Sequence, residues 1–371
     1  MTDLHVTNGH ILALRLFDVA YAIDLIKAEA LWAKHAAGRT SRPGLTATPP
    51  KAMAFGVPPL AVLLDTVTLN LETGTIDATV TARLYDFGAV SLALRILTPN
   101  TGWDDYTRIL NAVDRHVGHA AETAIWDRLL AHLRSVLAAA LIKPARSTFA
   151  EDYLIGVVQD FDNRFTAAEI LQRVDLVPLL SGETRTLSEG ARADLLRQRF
   201  SYYTDDLVVL TWDRAFIYEP RGDSDVVDVL EVANAQLLEM RYYDELLDDE
   251  LPRMYALVEA TRSQWKLLSA SRYADLARTL TTLVAEVTEL TEKVDNALQV
   301  TEDVYLARIY ASALDLYRVP TVSRAVQRKL SIIRDTYTAL YDEASSSRSQ
   351  VMEAAILLLI FVELMLAVLR Y

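Results

Sequence analysis

The last stretch of the chain, Val351 to Tyr371, reads VMEAAILLLIFVELMLAVLRY, and it constrains the fold more than any other. Between Val351 and Leu369 stand twelve Leu, Ile, Phe or Val residues, and two residues follow. A helix of about 19 residues is just long enough for a bilayer core of roughly 30 Å. On an insertion scale the twelve side chains contribute on the order of −5 kcal/mol, and a central acidic residue takes back roughly 2.5 to 3.5 kcal/mol. Glu363 sits inside the run and Glu353 at its edge. Insertion comes out modestly favourable. Residues 350–371 are therefore expected to form a C-terminal transmembrane anchor, carried by Ile356, Leu357, Leu358, Leu359, Ile360, Phe361, Glu363 and Leu366. The competing reading is a core helix of a bundle with Glu363 at its rim. Such a tail anchor would leave residues 1–350 on the cytoplasmic face of the inner (plasma) membrane, single-pass, with the C-terminus outside. The basic residues Arg324, Arg328, Lys329, Arg334 and Arg348 would lie on the side that the positive-inside rule requires.

Upstream of the tail the chain reads as helix from about residue 223. Asp225 to Ala260 forms one long helix, with Pro252 inside it. Leu276, Leu280, Leu283, Val287, Leu290 and Val294 alternate spacings of 4 and 3, the seam of a coiled coil. Its partner is either another helix of the chain or a second copy, so a homo-oligomer is one outcome the seam allows. Thr301-Glu302-Asp303 caps a helix to Tyr317, Pro320 is expected to break it, and Ser323 to Tyr341 forms the next. Ser345-Ser346-Ser347 is expected to separate that helix from the apolar tail.

The first 222 residues mix strands and helices. His10–Val19, Ala61–Leu71, Thr75–Leu84, Gly88–Leu97 and Tyr153–Val158 read as strands, with a hairpin turn at Glu72-Thr73-Gly74. Leu207–Trp212 and Ala215–Glu219 pair around Asp213-Arg214. Ile23–His35, Asp104–Val113, Gly118–Leu141, Ala167–Leu180 and Ser188–Arg199 read as helical, and residues 38–50 as a Pro/Gly/Ser/Thr loop. The order of segments in 1–150 is loosely echoed in 151–250, which raises an internal duplication near 150. The expected fold is α+β: a mixed α/β head (1–222), a helical bundle or coiled-coil stalk (223–345) and the C-terminal hydrophobic helix.

Charge and motifs narrow the chemistry. The net charge of −13 is concentrated in residues 151–250, which hold 9 Lys and Arg against 23 Asp and Glu. That segment does not suit docking on nucleic acid, so nucleic acid is not expected as a partner. Without cysteine there is no disulfide, thiolate zinc site or cysteine nucleophile. The N-terminus has neither a basic nor an apolar leader segment, so no secretory signal is expected. No phosphate-cradling glycine loop and no nucleophile elbow occurs. His116-x-x-His119, with Asp114 and Glu122, has ligand-like spacing but lacks ligands from elsewhere. Trp212-Asp213 beside Asp205-Asp206 suggests a carboxylate pair, but Asp213 sits in a hairpin tip, where Asp is a favoured turn residue. No catalytic residue, metal or cofactor is assigned. Arg241, Tyr242, Asp244, Arg328, Lys329 and Arg334 form a candidate partner surface, and the partner is not named by the sequence.

Three stretches resemble the "required for meiotic nuclear division" family, a domain family of unknown function. Tyr85-Asp86-Phe87-Gly88-Ala89-Val90 is similar to its glycine-valine strand. Val226–Leu247 (with ANAQLLEMRYYDELL) is similar to its long helix. Lys329-Leu330-Ser331-Ile332-Ile333-Arg334-Asp335-Thr336-Tyr337, then Asp342-Glu343-Ala344, Arg348 and the apolar run, resembles its helix-then-anchor ending. The resemblance implies a bacterial-type, membrane-anchored, non-enzymatic scaffold or assembly factor, with a link to translation by analogy. Two other readings stand beside it. One is a soluble oligomeric enzyme whose last helix completes a bundle, with a pocket around Asp205, Trp212 and His116. The other is an RNA- or ribosome-binding adaptor using Arg324, Arg328, Lys329 and Arg334.

Overall fold

A computed structural model describes residues 4–36, 40–41, 57–121, 124–145, 149–222, 225–262 and 303–369, with isolated positions between 278 and 288. It is a mixed α/β protein with a β-rich N-terminal sheet domain followed by helices. By contacts the chain divides into two compact units. The first holds residues 1–242 and 293–320, the second 243–292 and 321–371.

In the first unit a long strand β1 (His5–Asp18) is followed by β2 (Ala20–Ile23) and helix α1 (Leu25–Ala36). After β3 (Thr40–Ser41) come β4 (Leu60–Leu71) and β5 (Gly74–Leu84), the hairpin that Glu72-Thr73-Gly74 announces. Then follow β6 (Ala89–Leu97), β7 (Thr101–Gly102), α2 (Trp103–Val117), α3 (Ile125–Leu137) and β8 (Leu141–Pro144). Next come β9 (Ala150–Phe161) and the short helices α4 (Ala167–Arg173), α5 (Val177–Ser181) and α6 (Glu189–Leu195). The strands β10 (Gln198–Phe200), β11 (Leu207–Leu210) and β12 (Arg214–Tyr218) complete the sheet. Thr166 and Glu169 cap α4 reciprocally, satisfying donors that a helix start leaves open. The expected helix Gly118–Leu141 is shorter: it starts at Ile125 and ends at Leu137, and Leu141 already belongs to a strand. The expected helix Ser188–Arg199 ends at Leu195, and Gln198–Phe200 pairs with β11 instead.

Strand order across the large sheet is β10-β11-β12-β9-β1-β6-β5-β4-β3, with β7 paired to β1. Neighbours are antiparallel except β9 and β12, which run parallel. One face carries the main core. Ile11, Ala13, Val80, Leu92 and Leu94 of the sheet cluster there with Tyr106, Leu110 and Val113 of α2, Trp126 and Leu133 of α3, and Leu179 of α5. Gly156 lets α2 approach β9 closely, since a side chain there would press on Leu110 and Tyr106 at 3.0 Å.

The helices are α7 (Val226–Arg262), α8 (Val304–Leu316) and α9 (Val319–Leu369). Asp303 caps α8 as expected, its carboxylate accepting from the amides of Tyr305 and Leu306. Arg318 turns the chain between α8 and α9 with a φ of 59°. Pro320 does not break a helix. It occupies the first turn of α9, where no amide hydrogen bond is lost. The serines 345–347 do not interrupt α9 either, since serine costs only a few tenths of a kcal/mol in a helix.

The expected anchor requires correction. The apolar run is the distal part of a 51-residue helix, and among the described residues no helix is long and apolar enough to cross a membrane. The expected single-pass topology, with a cytoplasmic-face location and an outside C-terminus, falls with it. The marginal insertion arithmetic, with Glu363 offsetting much of the apolar gain, is the physical reason that this run reads ambiguously in the sequence.

Candidate functional site: a cleft on the sheet face

The register of β5, β6, β1 and β9 sets side chains in rows. Arg83, Ser91, Leu16 and Glu151 make one row, and Thr81, Ala93, Leu14 and Tyr153 the next. Thr79, Arg95, Leu12 and Ile155 make the third. Leu97, His10, Val157 and Ile217 of β12 make the fourth. Directly paired residues share a face, and these rows lie opposite the core of α2 and α3. The first turns of α7 come down on the same face through Asp228 and Glu231. A cleft of about 560 Å³ opens between this helix and the strands. Leu12, Leu14, Ala93, Val157 and Ile217 line it from the sheet, and Val227 from the helix.

One wall is held by charge. Arg83 forms an ion pair with Asp228 and donates to Glu231 at 3.1 Å. Tyr85 donates to the other Glu231 oxygen at 2.9 Å. Burial works against the Arg83 charge, but Glu231 and Asp228 raise its pKa above the usual arginine value. Burial likewise raises Glu231 above the usual carboxylate range, with Arg83 pulling the other way. These groups spend their hydrogen-bonding capacity on one another, so they hold α7 to β5.

The other end is different. Arg95 is exposed and lies 3.5 Å from Nδ1 of the buried His10. Burial first, and Arg95 second, push the His10 pKa down to about 4. The ring is therefore neutral at neutral pH. A guanidinium only donates, so Nδ1 accepts and the ring proton sits on Nε2. From the opposite face the Tyr106 hydroxyl donates to the carbonyls of His10 and Val157, at 3.1 and 3.2 Å. That clamp sits beside the register shifts that β1 shows at Val6, Asn8 and Gly9.

Residues singled out from the sequence fall elsewhere. His119 Nδ1 lies 3.3 Å from Asp152, whose carboxylate also accepts from the His119 amide. Asp114 pairs with Arg214 at 2.6 Å. Glu122 lies outside the described residues, and among those described no cluster of three or more metal-ligating side chains occurs. Asp206 accepts from the amides of Tyr202 and Tyr203 and Asp213 from Thr211, as turn residues do. Trp212 is exposed at its hairpin tip. Asp205, Trp212 and His116 do not line the cleft. Of the coiled-coil seam, Val287 is described and buried. Leu276, Leu280, Leu283, Leu290 and Val294 lie outside the described residues. Within the candidate partner surface, Arg241 pairs with Glu151 at 2.5 Å, and Lys329 with Asp244 at 2.6 Å. Tyr242 is half-buried, while Arg328 and Arg334 are exposed. In the distal part of α9, Ile356, Leu357, Leu359 and Ile360 are exposed. Leu358, Phe361, Glu363 and Leu366 belong to the same helix.

The cleft escapes sequence reading because His10, Arg83 and Arg95 stand on three strands and meet only through register. A signal does exist: Thr79-x-Thr81-x-Arg83 places polar residues at alternate positions of one strand, and Ser91 and Arg95 stand on one face of the next.

Comparison with known proteins points to a family other than the expected one. Residues 8–225 match the family model described as "Uncharacterized protein MJ0711, N-terminal domain". The "Uncharacterized protein MJ0711" of Methanocaldococcus jannaschii is 26% identical over 193 residues, 52% of this chain. The chain thus spans 58% of that relative's length. No solved structure matches. The resemblance to the "required for meiotic nuclear division" family is therefore corrected, and its link to translation goes with it. The most specific of the stretches that suggested it serves packing within the second unit: in KLSIIRDTY, Lys329 pairs with aspartates and Ile333 is buried.

Proposed function

The chain belongs to the family defined by the N-terminal domain of the uncharacterized protein MJ0711, and on that footing we propose that it is a non-enzymatic scaffold that self-associates through its C-terminal helices. The observation that carries this reading is the distal part of α9. Ile356, Leu357, Leu359, Ile360, Val362 and Met365 are each between 45% and 67% exposed in the single chain. A helix apolar around its circumference ordinarily ends up covered, and a second copy presents the same surface. The finer architecture belongs to the same proposal: residues 223–345 serve as a helical bundle or coiled coil. The second unit supports it with buried Leu247, Met254, Val287, Val326 and Ile333, and with Lys329 bound to Asp244 and Asp248.

Sedimentation equilibrium of the full chain tests the proposal. The wild type is expected to associate with rising concentration, and the double substitution Leu357→Glu/Leu359→Glu to disperse it while the far-UV spectrum is kept. A wild-type chain that stays monomeric throughout removes the scaffold reading.

A further inference from the structure

We propose that the sheet-face cleft binds a small aliphatic monocarboxylate, with its carboxylate on Arg95 and His10 and its chain over Leu12, Leu14, Ala93 and Val157. This inference stands apart from the scaffold reading, since every residue it uses lies in the first unit.

The polar end follows from how the charges of the cleft are spent. Two arginines line it. Arg83 is held by Asp228 and Glu231, whereas Arg95 has no carboxylate partner among the described residues and touches only the neutral His10. With its proton on Nε2, His10 adds a second donor beside the guanidinium. Two donors, one of them a guanidinium with no carboxylate partner among the described residues, suit one carboxylate. The acidic side chains at the rim do not neutralise Arg95. Asp228 and Glu231 both bind Arg83, which pairs with Ser91 four residues along the strands from the Thr79–Arg95 pair, or about 13 Å. Glu219 follows β12, three strand spacings from β6, or about 14 Å.

The apolar end follows from the floor. Leu12 and Leu14 are 9% and 2% exposed, and Val157 is 6% exposed. A ligand with no apolar body, such as inorganic phosphate, would leave this floor wetted and place two charges on one guanidinium. An alkyl chain covers it and gains about 0.8 kcal/mol for each methylene buried. At about 560 Å³ the cleft lies within the range of small-molecule sites. It is built on strands, with the Tyr106 clamp fixing the backbone under His10, so the two donors are held in place before the ligand arrives.

Titration calorimetry on the full chain with octanoate, octan-1-ol and inorganic phosphate tests this, with circular dichroism to confirm folding. Wild type is expected to bind octanoate at one saturable site. Arg95→Gln is expected to weaken it about tenfold or more, the loss of one charge-assisted contact, and Arg95→Lys to recover part of that loss. Binding of octan-1-ol should not depend on Arg95. Ala93→Phe, which fills the floor, should abolish both. Ala93→Leu serves the same end with less added volume, so a folding failure of the larger variant does not blunt the test. Three results overturn the proposal: no saturable octanoate binding by the folded wild type, equal affinity in Arg95→Gln, or phosphate bound through Arg95 in place of octanoate.

Discussion

Arg83 of β5 donates to the carboxylate of Glu231 in α7 across 3.1 Å, joining groups 148 residues apart in the chain. Tyr85, two residues on, holds the other oxygen of the same carboxylate. Breaking a buried pair by removing one partner is costly because the remaining charge stays desolvated. Arg83→Met is therefore expected to lower stability by about 3–5 kcal/mol in urea unfolding. Adding Glu231→Gln to that variant should restore part of the loss, since the amide still accepts from Tyr85 and carries no charge. A double variant no more stable than the single one would count against this account.

Asp18, at the end of β1, gives the opposite kind of charge. It is 4% exposed, and among the described residues its Oδ2 has no hydrogen-bond partner. Burial pushes its pKa up to about 7, against the pull of Arg134. The folded chain holds this proton more tightly than the unfolded chain, where the group titrates near 3.8. Its contribution is thus full below pH 3.8 and is lost as pH rises through about 7. Asp18→Asn keeps the shape and removes the ionisation. It is expected to stabilise the protein at pH 8 by a few kcal/mol and to have little effect at pH 4, as read by thermal unfolding at the two pH values.

His10 has the reverse sign. Its folded pKa is pushed down to about 4 from 6.5, so the unfolded chain takes up the proton first. The stability it contributes is present above pH 6.5 and is lost as pH falls through about 4, by up to about 3 kcal/mol. His10→Gln should flatten that acid limb. A limb of unchanged slope in the variant would show that other groups carry the acid sensitivity.

Much of the sheet is legible from local chemistry, and the site is not. The Glu72-Thr73-Gly74 turn and the Asp303 cap act within a few residues, so sequence spacing finds β4, β5 and the start of α8. Gln198 and Arg199 are read as the end of a helix because their strand character comes from pairing with Leu210 and Val209, a tertiary effect that overrides local preference. Pro320 and the serines at 345–347 mislead for a related reason: a breaker matters only by its position in the helix. The cleft depends on register among strands far apart in sequence, and a shift by one residue would send Arg95 to the other face.

Gly88 is a position where backbone conformation alone makes a prediction. Its φ of 104° is one that side chains rarely adopt, and a Cβ would collide with the Ala20 carbonyl. The Gly88 carbonyl also accepts from the Val19 amide at 3.1 Å, tying the β6 entry to the end of β1. Gly88→Ala is expected to cost about 3 kcal/mol or more, since strain and collision add. Gly74 also has a positive φ, 129°, but among the described residues nothing lies within 4 Å of its Cβ position. Gly74→Ala should cost less, about 1–2 kcal/mol. Denaturant midpoints of the two variants check the order.

Lys329 binds both Asp244, at 2.6 Å, and Asp248, at 2.8 Å, and also donates to the Asp244 carbonyl at 2.9 Å. Its side chain is 17% exposed, that of Asp244 32% and that of Asp248 62%, so solvent screens the second contact more than the first. Lys329→Met keeps the apolar stem and removes the charge. It is expected to weaken the second unit by about 1.5–3 kcal/mol, the range for hydrogen bonds to a charged group. The loss should appear locally, as faster amide hydrogen exchange around residues 244–252. The exchanged pair Lys329→Asp/Asp244→Lys should recover part of the protection, whereas Lys329→Asp alone places three carboxylates together and should do worse than Lys329→Met. Unchanged exchange in Lys329→Met would mean that buried Leu247, Val326 and Ile333 hold this region without the ion pairs, and that Lys329 is free to serve a partner.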